Sequence, residues 1–318
     1  MKAWGITSGA AGMEAQVRAV ADALAIPCDI KKAQLRAPFV YLPNGFYTGA
    51  LKPLALSLLD PASDALLPPW PDLVISCGRR AAAVALGIKA QSPITKFIHI
   101  QDPHISSRHF DAVIAMAHDK ITGPNVIKTR FALHTITPAR LEEARQHFAP
   151  RFAAYPAPYI AVLLGGSTNK YRLQPDAMRH IISQLEQLLA ATSGSLLITP
   201  SRRTGAENTA LLREVFAGNS RVYIYDCIEE NPYLGMLALA DAVVVTDDSV
   251  NMMSEAHATG KPLYILPLPR HHHSKPAAFA QGLVQDGIAR KWNGALEKWD
   301  YPINHEMANL AGKLRTFL

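Results

Sequence analysis

The 318-residue chain reads as an α/β protein made of two Rossmann-like domains, each a mostly parallel sheet covered on both faces by helices. Three observations predict this. Short, continuous apolar runs alternate with amphipathic segments. The alternation restarts once, after the proline-bearing stretch 151–158. Glycine, serine and charged residues cluster where the apolar runs end. In sheets of this kind ligands bind outside the carboxyl ends of the strands, so the domains are expected to face a common cleft that holds the site.

Ala3–Thr7 is an apolar run and predicts the first strand. Residues 14–24 predict a helix, with Val17, Val20, Ala21 and Leu24 at helical spacing. Residues 38–71 are rich in proline and hydrophobes, with a short helix expected over 51–59. A strand at 73–76 turns at Gly78 into an alanine-rich helix over 79–86. Lys96–Ile100 and 112–115 predict further strands. Pro156 and Pro158 oppose helix, so 151–158 reads as a linker. Beyond it the pattern predicts strands at Tyr159–Leu164, 196–199, 222–225, Ala242–Thr246 and Leu263–Leu266. Between them it predicts helices at Pro175–Ala191, 207–216, Tyr233–Leu239 and 250–258. The expected domains are 1–150 and 151–303, with a terminal helix over 304–318.

Composition excludes several classes. At 49% hydrophobic with a net charge of +6, the chain is no disordered polymer. Residues 1–150 hold 16 Lys and Arg against 11 Asp and Glu, and residues 151–318 hold 16 against 15. The surplus lies in the first part, but no run of five like charges exists, which argues against nucleic acid as a partner. Cys28, Cys77 and Cys227 are odd in number and far apart, which fits neither a disulfide framework nor a zinc ribbon. Cys77 reads as a buried small thiol. No 18-residue apolar stretch and no leader-like start is present, so the expected location is cytoplasmic, with peripheral contact on the inner face of a membrane.

The strongest local signal is the run from Ala242 to Ala256, AVVVTDDSVNMMSEA. A buried strand meets Asp247, Asp248 and Ser249, and a helix starts at once, with Asp248 or Ser249 able to cap it. Free N–H groups and the positive end of the dipole favour an anion such as a diphosphate there. Asn251 and Glu255 are four apart on one helix face, and Glu255 can accept both hydroxyls of a ribose. A second signal is Gly165, Gly166 and Ser167 after a strand, where paired glycines let backbone approach a phosphate or sugar. It lacks the Walker pattern. A third is Thr199, Ser201, Arg202 and Arg203, again after a strand, with guanidinium groups suited to phosphate oxygens.

The first domain offers Gly9 and Gly12 before a helix that carries Glu14 and Gln16, without a full dinucleotide fingerprint. Gly78, Arg79 and Arg80 put two cations at a helix start, where a bound anion would relieve their conflict with the dipole. His99, Gln101, Asp102 and His104 follow one strand, and His118 and Asp119 another. Each could supply an acid or base. His271, His272 and His273 are adjacent and lack metal-site spacing, so they read as a loop beside the site, with Lys275 reaching acceptor or phosphate and no metal expected.

The run from Thr246 to Pro262, TDDSVNMMSEAHATGKP, resembles the hallmark of the mitochondrial-fission ELM family. Gly9 to Gly12 with Gln16, Ser76 to Arg80, Gln101 to Pro103, Phe110-Asp111, His118-Asp119, Leu164 to Gly166, Thr199 to Arg203 and Trp299 to Pro302 are similar in the same order. The resemblance implies a GT-B-like fold in which the C-terminal domain holds a sugar nucleotide and the N-terminal domain an acceptor. A final helix would cross back onto the first domain. Met13 departs from the acidic residue expected of the family, which shifts attention to Glu14.

The expected function is a metal-independent, glycosyltransferase-like protein that takes a nucleotide-diphosphate sugar as co-substrate in the cleft and requires no other cofactor. Glu14 or Asp102 is the expected base, and an anionic membrane surface or lipid the expected acceptor side. The alternatives are a non-catalytic scaffold on the same fold and a nucleotide-sugar epimerase. The oligomeric state is not specified by the sequence.

Overall fold

The computed structural model describes residues 1–270, 274–304 and 306–318. The chain forms two compact units. Unit 1 comprises Met1–Thr135 with Asn304–Leu318, and unit 2 comprises Ile136–Ile303. The division falls at 135/136 rather than at the expected 150.

Unit 1 begins with β1 (Ala3–Thr7), α1 (Ala11–Leu24) and β2 (Cys28–Lys32). A proline-rich stretch follows with 3₁₀ turns at Phe39–Tyr41, Asn44–Thr48 and Ala55–Leu58, so the helix expected over 51–59 is only a short 3₁₀ turn. Then come β3 (Leu73–Cys77), α2 (Arg79–Gln91), β4 (Lys96–Ile100), β5 (Ala112–Met116) and β6 (Val126–Thr129). All six strands are parallel, in the order β2-β1-β3-β4-β5-β6. Successive strand residues point to opposite faces. Trp4, Ile6, Val74 and Phe97 therefore pack with the alanine-rich face of α2, while Ala3, Leu73, Ile75 and Ile98 pack with Val17, Val20 and Leu24 of α1.

Unit 2 starts with α3 (Pro138–Phe152), capped by Thr137 and running through Pro150, so residues 151 and 152 are helical rather than linker. It continues with β7 (Tyr159–Leu164), α4 (Pro175–Ala191), β8 (Ser195–Pro200), α5 (Ala206–Val215), β9 (Val222–Ile224), α6 (Tyr233–Leu239), β10 (Ala242–Thr246), α7 (Val250–His257), β11 (Leu263–Leu266), α8 (Lys275–Gln285) and β12 (Ala289–Lys291). The sheet is parallel, in the order β12-β11-β10-β7-β8-β9. One face buries Ile160, Val162, Leu164, Leu196, Ile198 and Val244 against the apolar stripe of α4, Met178, Ile181, Leu185 and Leu188.

The last helix, α9 (Glu306–Arg315), belongs to unit 1. Leu310 and Leu314 are buried against α1, and the Glu306 carboxylate accepts the Arg130 backbone N–H at 2.9 Å. With this division the charge separates cleanly. Unit 1 carries 16 Lys and Arg against 10 Asp and Glu, a surplus of six, and unit 2 carries 16 of each.

Candidate functional site

Each sheet has one place where the chain reverses its direction of travel across the strands. In unit 1 it lies between β1 and β3, and in unit 2 between β7 and β10. Crevices outside the carboxyl ends of strands at such switch points are where open α/β sheets bind ligands.

In unit 2 the crevice is bounded by Gly165-Gly166 after β7 and by Asp247-Asp248-Ser249 after β10. The buried Asp248 carboxylate fills it. The space that a Cβ on Gly165 would take lies 2.0 Å from Asp248 Oδ1, and a Cβ on Gly166 would meet the Arg203 carbonyl at 2.0 Å. Glycine is required there by the chain's own close approach. Asp248 accepts the Gly166 N–H at 3.1 Å and the Thr246 hydroxyl at 2.7 Å, and pairs with the Arg203 guanidinium at 2.7 Å. Thr246 Oγ1 in turn accepts the Gly165 N–H at 2.7 Å. Asp247 is also buried, accepts the Leu268 N–H at 2.8 Å and pairs with Arg270 at 3.0 Å. Burial pushes its carboxyl up, opposed by that N–H and by Arg270.

The remaining loop residues are likewise bonded within the loops. The Thr204 hydroxyl donates to the Gly165 carbonyl at 2.6 Å, Ser201 Oγ accepts the Arg203 N–H at 3.2 Å, and Ser167 Oγ accepts the Leu173 N–H at 3.0 Å. Thr199 is buried at the end of β8. Arg202 is exposed and has no described partner. Ser249 caps α7 by accepting the Met252 N–H. Along α7, Asn251 and Glu255 are both half-buried. Glu255 Oε2 accepts the Tyr233 hydroxyl at 2.5 Å, and burial pushes the carboxyl up to about 7, with the Tyr233 bond opposing.

In unit 1 the switch point is open. A cavity of about 310 Å³ is lined by Ser8, Met13, Cys77, Gly78, Arg79, Arg80 and Gln101. Gly78 has φ +87° and turns the chain from β3 into α2, and Gln101 has φ +77° at the end of β4. The buried Asn44 amide donates to the Arg79 and Pro103 carbonyls, both at 2.8 Å, and so ties the two loops together.

The other expected residues of unit 1 are spread over the same edge. Gly9 (φ +85°) and Gly12 precede and open α1, and Glu14 is half-buried in its first turn. The buried Gln16 lies 3.9 Å from the Cys77 thiol. Burial pushes that thiol up, in keeping with an inert cysteine. Asp102 is turned back onto its own loop, accepting the His104 N–H at 2.8 Å. Asp119 lies 3.6 Å from His118 and accepts the Met116 N–H. His99 is no acid or base at this edge. It is fully buried within β4, its Nδ1 lies 2.8 Å from Ser76 Oγ, and burial pushes it down to about 3. Lys275 is exposed at the start of α8. His271, His272 and His273 lie outside the described residues, and no metal-like cluster of His, Cys, Asp or Glu occurs among the described ones.

Sequence reading missed Tyr233 and Arg270, the partners of Glu255 and Asp247. Arg270 had a signal, since it follows β11 as the other loops follow their strands. Tyr233 opens a helix and carried none.

Two parallel sheets of this order define a two-domain α/β fold of the GT-B-like kind. Its solved likenesses include the UDP-GlcNAc 2-epimerase of Neisseria meningitidis bound to UDP-GlcNAc, with a TM-score of 0.55 and 13% identity over 99% of this chain and 91% of that one. The UDP-GlcNAc 2-epimerase of Methanocaldococcus jannaschii is similar, at 0.53 and 14% over 99% and 92%. At such identities the likeness concerns the fold alone. Residues 11–318 match the family described as Mitochondrial fission ELM1, and the chain belongs to that family. The Mitochondrial fission protein ELM1 of Arabidopsis thaliana is 33% identical over 272 residues, 77% of this chain. The match spans 63% of that relative's length. An uncharacterized protein of Rickettsia prowazekii is 28% identical over 74% of this chain and 76% of its own. Among the described residues no helix is long and apolar enough to cross a membrane.

Proposed function

We propose that unit 2 binds a nucleotide-diphosphate sugar and that the protein is a glycosyltransferase-like enzyme whose acceptor is presented on the basic unit 1. The observation that carries this reading is α7. Its Ser249-capped N-terminus stands at the unit 2 switch point, and Glu255 lies on the same helix further in. Helix N–H groups and the dipole favour a diphosphate, and Arg202 adds a guanidinium with no partner among the described residues. Glu255 would accept ribose hydroxyls, with Tyr233 holding its carboxyl in place. No metal is needed in this reading, because helix N–H groups and arginine can stabilise a leaving diphosphate. Glu14, half-buried in the first turn of α1, is the candidate base on an acceptor hydroxyl. The six-charge surplus of unit 1 suits an anionic membrane surface or lipid acceptor, where each basic residue near the surface contributes about 1 kcal/mol.

Calorimetry with UDP-, GDP-, ADP- and CDP-sugars tests the reading. One of them should bind, and Glu255→Ala should abolish that heat. Silence across the panel at millimolar ligand overturns it. A non-catalytic role on the same fold gains support from one observation, the Asp102 carboxylate engaged with its own loop. Nucleotide-sugar binding without turnover for any acceptor would select it.

A further inference from the structure

The open cavity at the unit 1 switch point has an unbalanced lining. Arg79 and Arg80 contribute two guanidinium groups, and no carboxylate lines it. Among the described residues the exposed Arg79 has no partner, and Arg80 reaches only the neutral Gln34 amide oxygen at 3.5 Å. The acids of the neighbouring loops are engaged elsewhere, Asp64 with the Lys32 N–H at 2.7 Å and Asp102 with the His104 N–H at 2.8 Å. The first turn of α2 contains no acidic residue, so both cations sit at the positive end of the helix with no acid of that turn to offset them. The fold adds a separate argument. This cavity lies between the ends of β1 and β3, at the reversal point where sheets of this order take ligands.

We propose that the unit 1 cavity binds a phosphate-type anion, a phosphate or diphosphate group, with Arg79 and Arg80 as its charge partners. Within the glycosyl-transfer reading this group is the phosphorylated end of the acceptor. That last step rests on the reading, but the anion site does not. Size narrows the ligand. At about 310 Å³ the cavity sits at the lower end of the roughly 300–1,000 Å³ typical of small-molecule pockets. It suits a diphosphate-sized group rather than a complete nucleotide sugar. Guanidinium forks bind phosphate oxygens in pairs of parallel hydrogen bonds. Asn44 fixes the backbone at Arg79 beforehand, so little ordering remains for the ligand to impose. Met13 forms part of the wall, its sulfur 3.1 Å from the Cβ position of Gly78, and offers no competing charge.

The test is titration calorimetry of the full chain with inorganic pyrophosphate, done in the wild type and in an Arg202→Gln background that weakens any unit 2 contribution. Arg79→Gln with Arg80→Gln should weaken pyrophosphate binding by at least about tenfold in both backgrounds. Met13→Glu, which puts a carboxylate into the wall, should do the same. The arginines are exposed, so their thermal midpoint should match the wild type. Unchanged pyrophosphate affinity in both sets of variants overturns the proposal. If pyrophosphate binds as expected while no nucleotide sugar does, only the unit 2 reading fails. Vesicles of phosphatidylcholine with phosphatidic acid identify the source. Binding that pyrophosphate displaces supports a lipid headgroup, and binding of pyrophosphate alone supports a free phosphate compound.

Discussion

The two switch points have related topology and opposite electrostatics. In unit 2 the chain supplies its own anion. Asp248 occupies the crevice, satisfies the Gly166 N–H and neutralises Arg203. In unit 1 the equivalent position is a cavity with two guanidinium groups and no carboxylate. A crevice that carries its own counter-charge is a structural joint, and a ligand of unit 2 must engage further out, at the start of α7 and at Arg202. A crevice left with uncompensated positive charge keeps its binding capacity for something else. Strand order alone therefore does not say which switch point is vacant. The side chains decide it.

The comparison breaks most directly at Asp248. Asp248→Ala leaves the buried Gly166 N–H without an acceptor and removes the Arg203 pair, at an expected cost of about 3 kcal/mol, discounted because Arg203 is 40% exposed. Arg79→Ala at the other switch point should stay within about 0.5 kcal/mol of the wild type. Urea denaturation measures both, and equal effects would remove the distinction. Gly165→Ala comes next. Its Cβ would stand 2.0 Å from Asp248, and overpacking of that kind should cost about 2 kcal/mol without touching unit 1.

Smaller effects sharpen the reading of Glu255. Its carboxyl is held up to about 7, so it is protonated below that pH and can accept two ribose hydroxyls only above it. Nucleotide-sugar affinity should fall by about tenfold from about pH 8 to about pH 6, and Glu255→Gln should flatten the profile. A flat wild-type profile would remove Glu255 from the site. Tyr233→Phe should shift the affinity by less than about 1 kcal/mol. Because the Tyr233 bond lowers the Glu255 carboxyl, its loss should move the midpoint of the profile upward.

The central strands were legible because they are buried on both faces and appear as unbroken apolar runs, such as Leu73–Cys77 and Ala242–Thr246. The edges were not. β2 reads Cys-Asp-Ile-Lys-Lys and β12 Ala-Arg-Lys, since an edge strand stays half in water and has no reason for an apolar run. Helix α3 went unread, because Pro156 and Pro158 marked 151–158 as a linker, whereas the helix runs through Pro150 to Phe152. At the site the sequence located the strand-end loops but not who pairs with whom. Paired glycines, adjacent aspartates and paired arginines all suggest phosphate, and only the folded chain shows that Asp248 bonds both Gly166 and Arg203. Trp299 to Pro302 is a similar case, since Tyr301 donates to the Lys261 carbonyl at 2.7 Å and Trp299 packs edge-on to Tyr264.

The placement of α9 bears on the order of assembly. The core of unit 1 contains Leu310 and Leu314, whereas unit 2 is one uninterrupted stretch of chain. During vectorial synthesis the segment that precedes unit 2 must wait for the segment that follows it, and unit 2 can finish while unit 1 still exposes the apolar side of α1. The expected consequence is a nascent-chain intermediate, folded in unit 2 and open in the segment before it, whose α1 amides gain exchange protection only when residues 306–315 dock. Early protection of α1 in a ribosome-stalled chain that lacks them would show unit 1 closing without its last helix.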